Sequence, residues 1–342
     1  MRRRFQHLPH VVLTAALCVP AACASQEGAH RSGIRVVAVE AVYGDIARQI
    51  AGNAVSVATI LDSPSADPHA YEPTARDANA IAQADVVIEN GLGYDAFADK
   101  LLSASPRAGR TVIVVGTLAG RHAGDNPHVW YDSEALRRLS SALVGDLTRR
   151  LPRDRASLAR SNGRFRAWLD DFARRTLTLG RRYRGTPVAI TEPVFDAVLQ
   201  AASLRIVTPR SFSKAIENGN DPAPQDVATM RALLAGRHVA ALVYNRQTVE
   251  PSTTQLLAVA QTSGVPVVAV SETLPSNRHV QGWFDGELAA LTTALEAAQT
   301  PRHEATYAGK AAARYGAATV REPSGRRRIP EFARHHGAQR PA

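Results

Sequence analysis

Two short segments of the sequence each place a histidine directly after a proline and close to carboxylates. They are Asp67-Pro68-His69-Ala70-Tyr71-Glu72-Pro73-Thr74 and Asn126-Pro127-His128-Val129-Trp130-Tyr131-Asp132. Proline restricts its own φ and the conformation of the residue before it, so each histidine follows a stiff turn and loses little entropy on binding an ion. Because neutral imidazole is a frequent ligand of zinc-like ions, the pair indicates a metal site built from two distant loops.

Two carboxylates farther along the chain stand in matching positions. Glu192 and Glu272 each come two residues after a short apolar run that is typical of a buried strand. In open α/β sheets, ligands bind beyond the carboxyl ends of the strands. Each glutamate could instead serve a neighbouring helix start or turn. Together with the two histidines they predict a closed site between two lobes, with four ligands: His69, His128, Glu192 and Glu272.

The elements that must position these side chains alternate between strand and helix from Ile34 onward. This alternation is typical of an α/β fold with mostly parallel sheets flanked by helices. Strands are predicted at 34–39, 55–61, 85–89 and 111–115 in the first lobe and at 187–190, 204–207, 239–244 and 265–270 in the second. Long helices at 134–151 and 154–183, separated by Pro152, predict a rigid helical link between the lobes.

The chain is accordingly divided into five parts. A signal peptide and short linker are expected at 1–33 and a basic, disordered tail at 301–342. Between them we expect an N-terminal metal-binding lobe at 34–132, linking helices at 133–184 and a C-terminal metal-binding lobe at 185–300.

The formal net charge of +10 at first suggests a nucleic-acid or membrane-surface partner. Most of this charge lies at the two ends, because Arg2, Arg3 and Arg4 are followed by eight Lys or Arg against three Glu in residues 303–342. The body of the chain lacks a basic stripe with interleaved aromatic residues, so we expect no nucleic-acid partner.

The N-terminus resembles an export signal, with Arg2-Arg3-Arg4 before an apolar run at 11–22. Both cysteines of the chain, Cys18 and Cys23, lie in this region, so no disulfide or thiolate ligand is expected in the mature body. Pro20-Ala21-Ala22-Cys23 resembles a lipoprotein cleavage box that would make Cys23 the lipidated first residue. Pro20 departs from the aliphatic residue usual there, and ordinary cleavage after Ala22-Cys23-Ala24 is the alternative. Either route predicts a periplasmic protein or one anchored on the outer face of the cytoplasmic membrane.

Residues 34–298 resemble the solute-binding proteins of zinc- and manganese-type ABC importers. The resemblance is carried by the two histidine motifs together with Glu40-Ala41-Val42-Tyr43-Gly44-Asp45-Ile46-Ala47, Asn90-Gly91-Leu92-Gly93-Tyr94-Asp95 and Thr191-Glu192-Pro193-Val194-Phe195. It implies two α/β lobes joined by one long helix, a divalent ion bound between them, and an ABC permease with its ATPase as partners. It implies no enzymatic activity, and a monomer is expected. The histidine-rich loop of many zinc importers is absent here, since 118–125 holds only His122.

By position, the resemblance matches His69, His128 and Glu192 to three ligands of the family, and Glu272 to a position that is usually Asp. Glu217 and Asp221 are substitutes for the fourth ligand, although both are interpreted as loop residues. A ligating histidine usually donates its second N–H to a carboxylate or amide. The side chains expected to support the ligands in this way are Asp67, Glu72, Asn90 and Asp132.

Two nitrogens and two carboxylates suit zinc when each carboxylate binds through one oxygen, and manganese or iron when both bind through two. Zn²⁺ is the expected cargo and Mn²⁺ the alternative. A metal-dependent adhesin would use the same site. A metallohydrolase is a weaker hypothesis, because a catalytic zinc keeps an open position and no His-Glu-x-x-His motif occurs.

Overall fold

The first apolar run forms strand β1, Arg35–Glu40, which turns directly into helix α1, Ala41–Ala51. This computed structural model describes residues 33–63 and 71–299 of the chain. Helix α1 is amphipathic, and it buries Ile46 and Ile50, which lie one turn apart.

The first lobe is built on a parallel four-stranded sheet. Strands β2 (Ser56–Leu61), β3 (Val86–Glu89) and β4 (Thr111–Val114) join β1 in the order β2-β1-β3-β4. All three pairings are parallel. The carboxyl ends of the strands therefore lie along one edge of the sheet, as the alternating pattern predicts.

Helix α2, Ala75–Gln83, begins with a reciprocal capping box. The Thr74 hydroxyl accepts the Asp77 N–H, and the Asp77 side chain accepts the Thr74 N–H. Threonine with an acidic residue three positions later is the sequence pattern of such a box, and it satisfies N–H groups that the first turn leaves without helical partners. Helices α3 (Ala96–Ala104) and α4 (Val115–Leu118) complete this lobe. Among the predicted functional residues, Asp67, His69 and Cys23 lie outside the described residues, as does 301–342.

Two long helices separate the sheets. Helix α5, Ser133–Arg150, and helix α6, Arg155–Tyr183, are separated by a 3-10 turn at Pro152–Asp154, where the proline predicts a break. The two helices pack on each other and on the first lobe. Near its end, α6 approaches the second lobe closely at Gly180, where a Cβ would lie 2.7 Å from the carbonyl oxygen of Ala202. A larger residue at this position would push the helix away.

The second lobe repeats the parallel arrangement. Strands β5 (Pro187–Ile190), β6 (Arg205–Ile206), β7 (Leu242–Asn245) and β8 (Val267–Val270) have the order β6-β5-β7-β8. Strand β7 thus lies between β5 and β8 and is parallel to both. The last residue of β7, Asn245, consequently lies between the two loops that carry Glu192 and Glu272. The helices are α7 (Asp196–Ala201), α8 (Arg210–Glu217), α9 (Pro224–Ala235), α10 (Pro251–Ser263) and α11 (Val280–Gln299).

One hydrophobic core runs through both lobes and the linking helices. Its members include Ile46 of α1, Leu139 of α5, Phe172 of α6, Phe195 before α7 and Phe284 of α11. The described residues therefore belong to one compact unit, which ends at Gln299. None of the helices at 33–63 and 71–299 is long and apolar enough for a membrane crossing.

Candidate metal site

The loop before α5 holds the imidazole of His128 by its Nδ1 edge. The side-chain oxygen of Asn126 accepts the backbone N–H of His128 at 2.9 Å and lies 2.7 Å from Nδ1. One oxygen that accepts both groups places the ring proton on Nδ1. The other ring nitrogen, Nε2, is buried and has no hydrogen-bond partner among residues 33–63 and 71–299, and His128 is only 3% exposed. Nε2 therefore has the lone pair that a metal ion needs.

Glu192 and Glu272 follow β5 and β8, and one amide joins them. Nδ2 of Asn245 lies 3.1 Å from Oε2 of Glu192 and 2.7 Å from Oε1 of Glu272. Tyr94 of the first lobe donates to Oε2 of Glu272 at 3.1 Å. Both glutamates are nearly inaccessible, at 3% and 4% exposure, and Oε1 of Glu192 has no hydrogen-bond partner. Two buried carboxylates that lie this close together are costly unless a cation joins them.

The two lobes bring His128 and Glu272 together. Nε2 of His128 lies 3.6 Å from Oε2 of Glu272. Two ligand atoms on a tetrahedral ion, each roughly 2.0–2.2 Å from it, are separated by roughly 3.3–3.6 Å. Within 33–63 and 71–299, however, no three His, Cys, Asp or Glu side chains are grouped so that they could hold an ion together. The structure thus shows a buried His128–Glu272 pair, to which Glu192 is linked through Asn245.

Two groups beside this pair, Glu192 and Tyr94, have raised pKa values. Burial raises the pKa of Glu192 to about 7, and the neighbouring charge of Glu272 adds to the effect, while His128 opposes it. Burial, followed by the charge of Glu272, also raises the pKa of Tyr94 well above its usual value. A divalent ion would relieve both effects, because its charge favours ionised carboxylates.

The described side chains that were expected to support the ligands make other contacts or are exposed. Asn90 holds the loop backbone, with Nδ2 donating to the carbonyl oxygen of Pro127 at 2.9 Å. Asp132 is the N-cap of α5 and accepts the N–H of Glu134. Glu72 is exposed. The residue that contacts the imidazole nitrogen is Asn126, which the sequence motif contains but sequence reasoning did not select.

The interpretation of Glu217 as a loop residue was wrong. Glu217 is the last residue of α8, a two-turn helix that buries Phe212 and Ile216 four residues apart. Its Oε1 has no hydrogen-bond partner in the described part of the chain and lies 3.8 Å from Nδ1 of His128, while Oε2 pairs with Lys214 at 2.8 Å. Glu217 thus lines a cavity of about 440 Å³ on the Nδ1 side of the ring, away from the nitrogen that faces Glu272. Asp221 is exposed beyond the end of α8.

Behind Tyr94, the first lobe contains three more buried carboxyl groups. Glu40 ends β1, Glu89 ends β3, and Asp95 accepts the backbone N–H groups of Asn90 and Gly91. Burial raises the pKa of Glu40 well above its usual value, and Asp95 adds to the shift. Burial also raises the pKa of Glu89 to about 8. Of these groups, Glu89 therefore favours its neutral form near pH 7.

Replacing Glu89 should change how stability depends on pH. Between pH 4.5 and about 8, the unfolded chain loses the Glu89 proton while the folded protein retains it, so the free energy of unfolding falls as pH rises. Glu89→Gln removes this contribution. We expect the variant to be more stable than the wild type at pH 9 by at least about 1 kcal/mol and little changed at pH 4.5.

Urea unfolding at both pH values measures this difference. The control is Glu134→Gln, which removes an exposed carboxylate and should shift both curves little. A Glu89→Gln protein that is destabilised more at pH 9 than at pH 4.5 would contradict the prediction.

The sequence matches one protein-family model and several curated relatives. A family model described as ZnuA, the periplasmic component A of a zinc-uptake complex, matches residues 36–298. The manganese-binding lipoprotein MntA of Halalkalibacterium halodurans is 29% identical over 148 residues, which cover 42% of this chain and 49% of MntA. The chain thus spans about half the length of the curated relatives it matches.

Two solved structures share the fold. The periplasmic zinc-binding protein TroA of Treponema pallidum has a TM-score of 0.64 at 18% identity, over 78% of this chain and 99% of TroA. FpvC of Pseudomonas aeruginosa, solved in complex with Mn²⁺, has a TM-score of 0.64 at 20% identity, over 78% of this chain and 99% of FpvC. Both likenesses cover nearly the whole of the two-lobed structure described above.

Proposed function

The chain belongs to the ZnuA family of periplasmic zinc-uptake components, and from that premise we propose that it captures zinc or manganese and delivers it to an ABC permease. Members of this family are non-enzymatic substrate-binding components of importers. The observation that most supports the proposal is the approach of His128 and Glu272. A partnerless imidazole nitrogen of one lobe lies 3.6 Å from a carboxylate of the other, out of contact with solvent.

The proposed ligands are His69, His128, Glu192 and Glu272, with the ion as cargo. Zn²⁺ is the preferred ion if each carboxylate contributes one oxygen, and Mn²⁺ if both contribute two. Four ligands from two lobes leave no open coordination position, which suits capture rather than hydrolysis. We further propose that the protein is an exported monomer, either periplasmic or anchored through a lipid on Cys23.

Calorimetric titration of protein that has been stripped of metal and purified without a histidine tag tests capture. We expect one Zn²⁺ or Mn²⁺ per chain, and substantially weaker binding by Glu272→Gln. X-ray absorption of the loaded protein then distinguishes four-coordinate from six-coordinate binding. Absence of binding by either ion would remove the proposal. The adhesin alternative would be favoured if the protein bound the ion tightly but deletion of its gene left metal uptake by the cells unchanged.

A further inference from the structure

A tyrosine of the first lobe reaches the loop that carries Glu272 in the second. The hydroxyl of Tyr131 lies 2.8 Å from the carbonyl oxygen of Ser271 and 2.5 Å from Oε2 of Glu287. Tyr131 follows His128 by three residues in the 3-10 turn Val129–Tyr131, and Ser271 directly precedes Glu272. One side chain thus connects the two loops whose ligand atoms must meet.

Glu287 holds the other side of this connection. Its Oε1 accepts the backbone N–H of Ser271 at 3.1 Å and the indole N–H of Trp283 at 2.8 Å. Ser271 is therefore fixed through its N–H by Glu287 and through its carbonyl by Tyr131. Glu287 itself lies in helix α11 and is 6% exposed, so water cannot readily replace these bonds.

Aromatic packing restricts the position of the Tyr131 ring. Phe284 stacks on it at 4.7 Å between ring centroids, and Phe195 and Trp283 meet it edge to face at 4.9 Å and 5.4 Å. Tyr131 is 2% exposed. Removing only the hydroxyl should leave this packing in place, so the hydrogen bonds can be tested separately from the core.

We propose that Tyr131 and Glu287 are positioning residues, whose hydrogen bonds to each other and to Ser271 set the separation of His128 and Glu272 and thereby the affinity for the ion. This inference rests on the proposed function. Neither residue touches the ion. They act by limiting the motion of the Glu272 loop relative to the His128 loop, and groups that orient metal ligands commonly contribute about 10- to 100-fold in affinity.

Tyr131→Phe tests the link, measured with Zn²⁺ or Mn²⁺ as the titrant. We expect affinity to fall about tenfold, because the ligands lose their fixed separation. Glu287→Gln is the conservative companion. Its amide oxygen can still accept from Ser271 and Trp283, and its NH₂ can donate to the Tyr131 oxygen, so affinity should stay within about threefold of the wild type.

A double-mutant cycle separates positioning from general loosening of the structure. If Tyr131 acts through Glu272, then Tyr131→Phe should cost about tenfold in the wild type and less than about threefold in Glu272→Gln. An equal cost in both backgrounds, or no cost in the wild type, would overturn the inference. So would unchanged binding by Glu272→Gln alone, since the link would then have no ligand to position. If the wild type binds neither ion, the proposed function fails first.

Discussion

His128→Ala should lose at least about 100-fold in affinity for the ion, the largest effect expected of any single described residue. The substitution removes the one buried ring nitrogen that faces Glu272 and has no other partner. The carboxylates that remain cannot replace it, since a neutral nitrogen ligand favours zinc-like ions over calcium or magnesium. Calorimetric titration with Zn²⁺ and Mn²⁺ measures the loss.

His122 provides a matched control, because it lies with His128 in the segment that connects α4 to α5. Its side chain is 89% exposed, and its ring Nδ1 lies 4.0 Å from a carboxylate oxygen of Asp125. His122→Ala removes an imidazole without touching the buried pair, so affinity should be unchanged. Similar losses in both variants would show that nonspecific histidine binding accounts for the signal, and would contradict the assignment of His128.

The loss must also be separated from a defect in folding. The His128 ring lies 5.2 Å from the ring of Trp130 and 6.2 Å from that of Tyr94, so truncation to alanine opens a cavity. His128→Gln fills more of this space and lacks the ring nitrogen. We expect it to unfold closer to the wild-type temperature and still to lose ion affinity. Retained affinity in His128→Gln would contradict a role for Nε2.

The sequence was sufficient to predict that Glu192 and Glu272, the carboxylates proposed as ligands, directly follow two strands. Glu192 and Glu272 could be assigned because each follows a short buried strand, and those strands do end at Ile190 and Val270. The local capping signal of Thr74 was likewise readable, since a capping box depends on residues three apart. Features that depend on a few neighbouring residues can be recognised from the sequence without knowledge of the fold.

Asn245 could not be found in this way. Its importance depends on β7 lying between β5 and β8, and strand order is set by how the helices pack rather than by any local pattern. The predicted strand at 239–244 also stopped one residue short of it. The hydrogen bond from Tyr131 to Glu287 joins residues 156 positions apart and could not be predicted from sequence for the same reason.

Helix α8 shows a second limit. Arg210–Glu217 has only two turns, and an amphipathic period is difficult to recognise in a window so short. Glu217 was consequently interpreted as a loop residue, although tertiary packing of Phe212 and Ile216 holds the helix in place. Short helices stabilised by packing rather than by propensity are the elements that sequence patterns miss.

Glu192→Gln should affect ion affinity and the stability of the metal-free protein in opposite directions. A pH of 8 is above the Glu192 pKa of about 7, so the folded protein then holds an ionised, buried carboxylate near Glu272. Glutamine removes that charge and can still accept from Asn245. We expect the metal-free variant to be more stable by about 1 kcal/mol, a rise in melting temperature of about 2–4 °C.

The same substitution removes a proposed ligand, so the affinity for Zn²⁺ or Mn²⁺ should fall about 100-fold. Melting curves with and without the ion report both effects, because a bound ion stabilises the folded protein in proportion to its affinity. Glu296→Gln is the control, as its carboxylate is half-exposed and pairs with Arg182 on the surface. If Glu192→Gln lost stability without metal but kept its affinity, Glu192 would be a structural residue. The combination of higher stability and weaker binding is what distinguishes a carboxylate held in place for a cation from one that supports the fold.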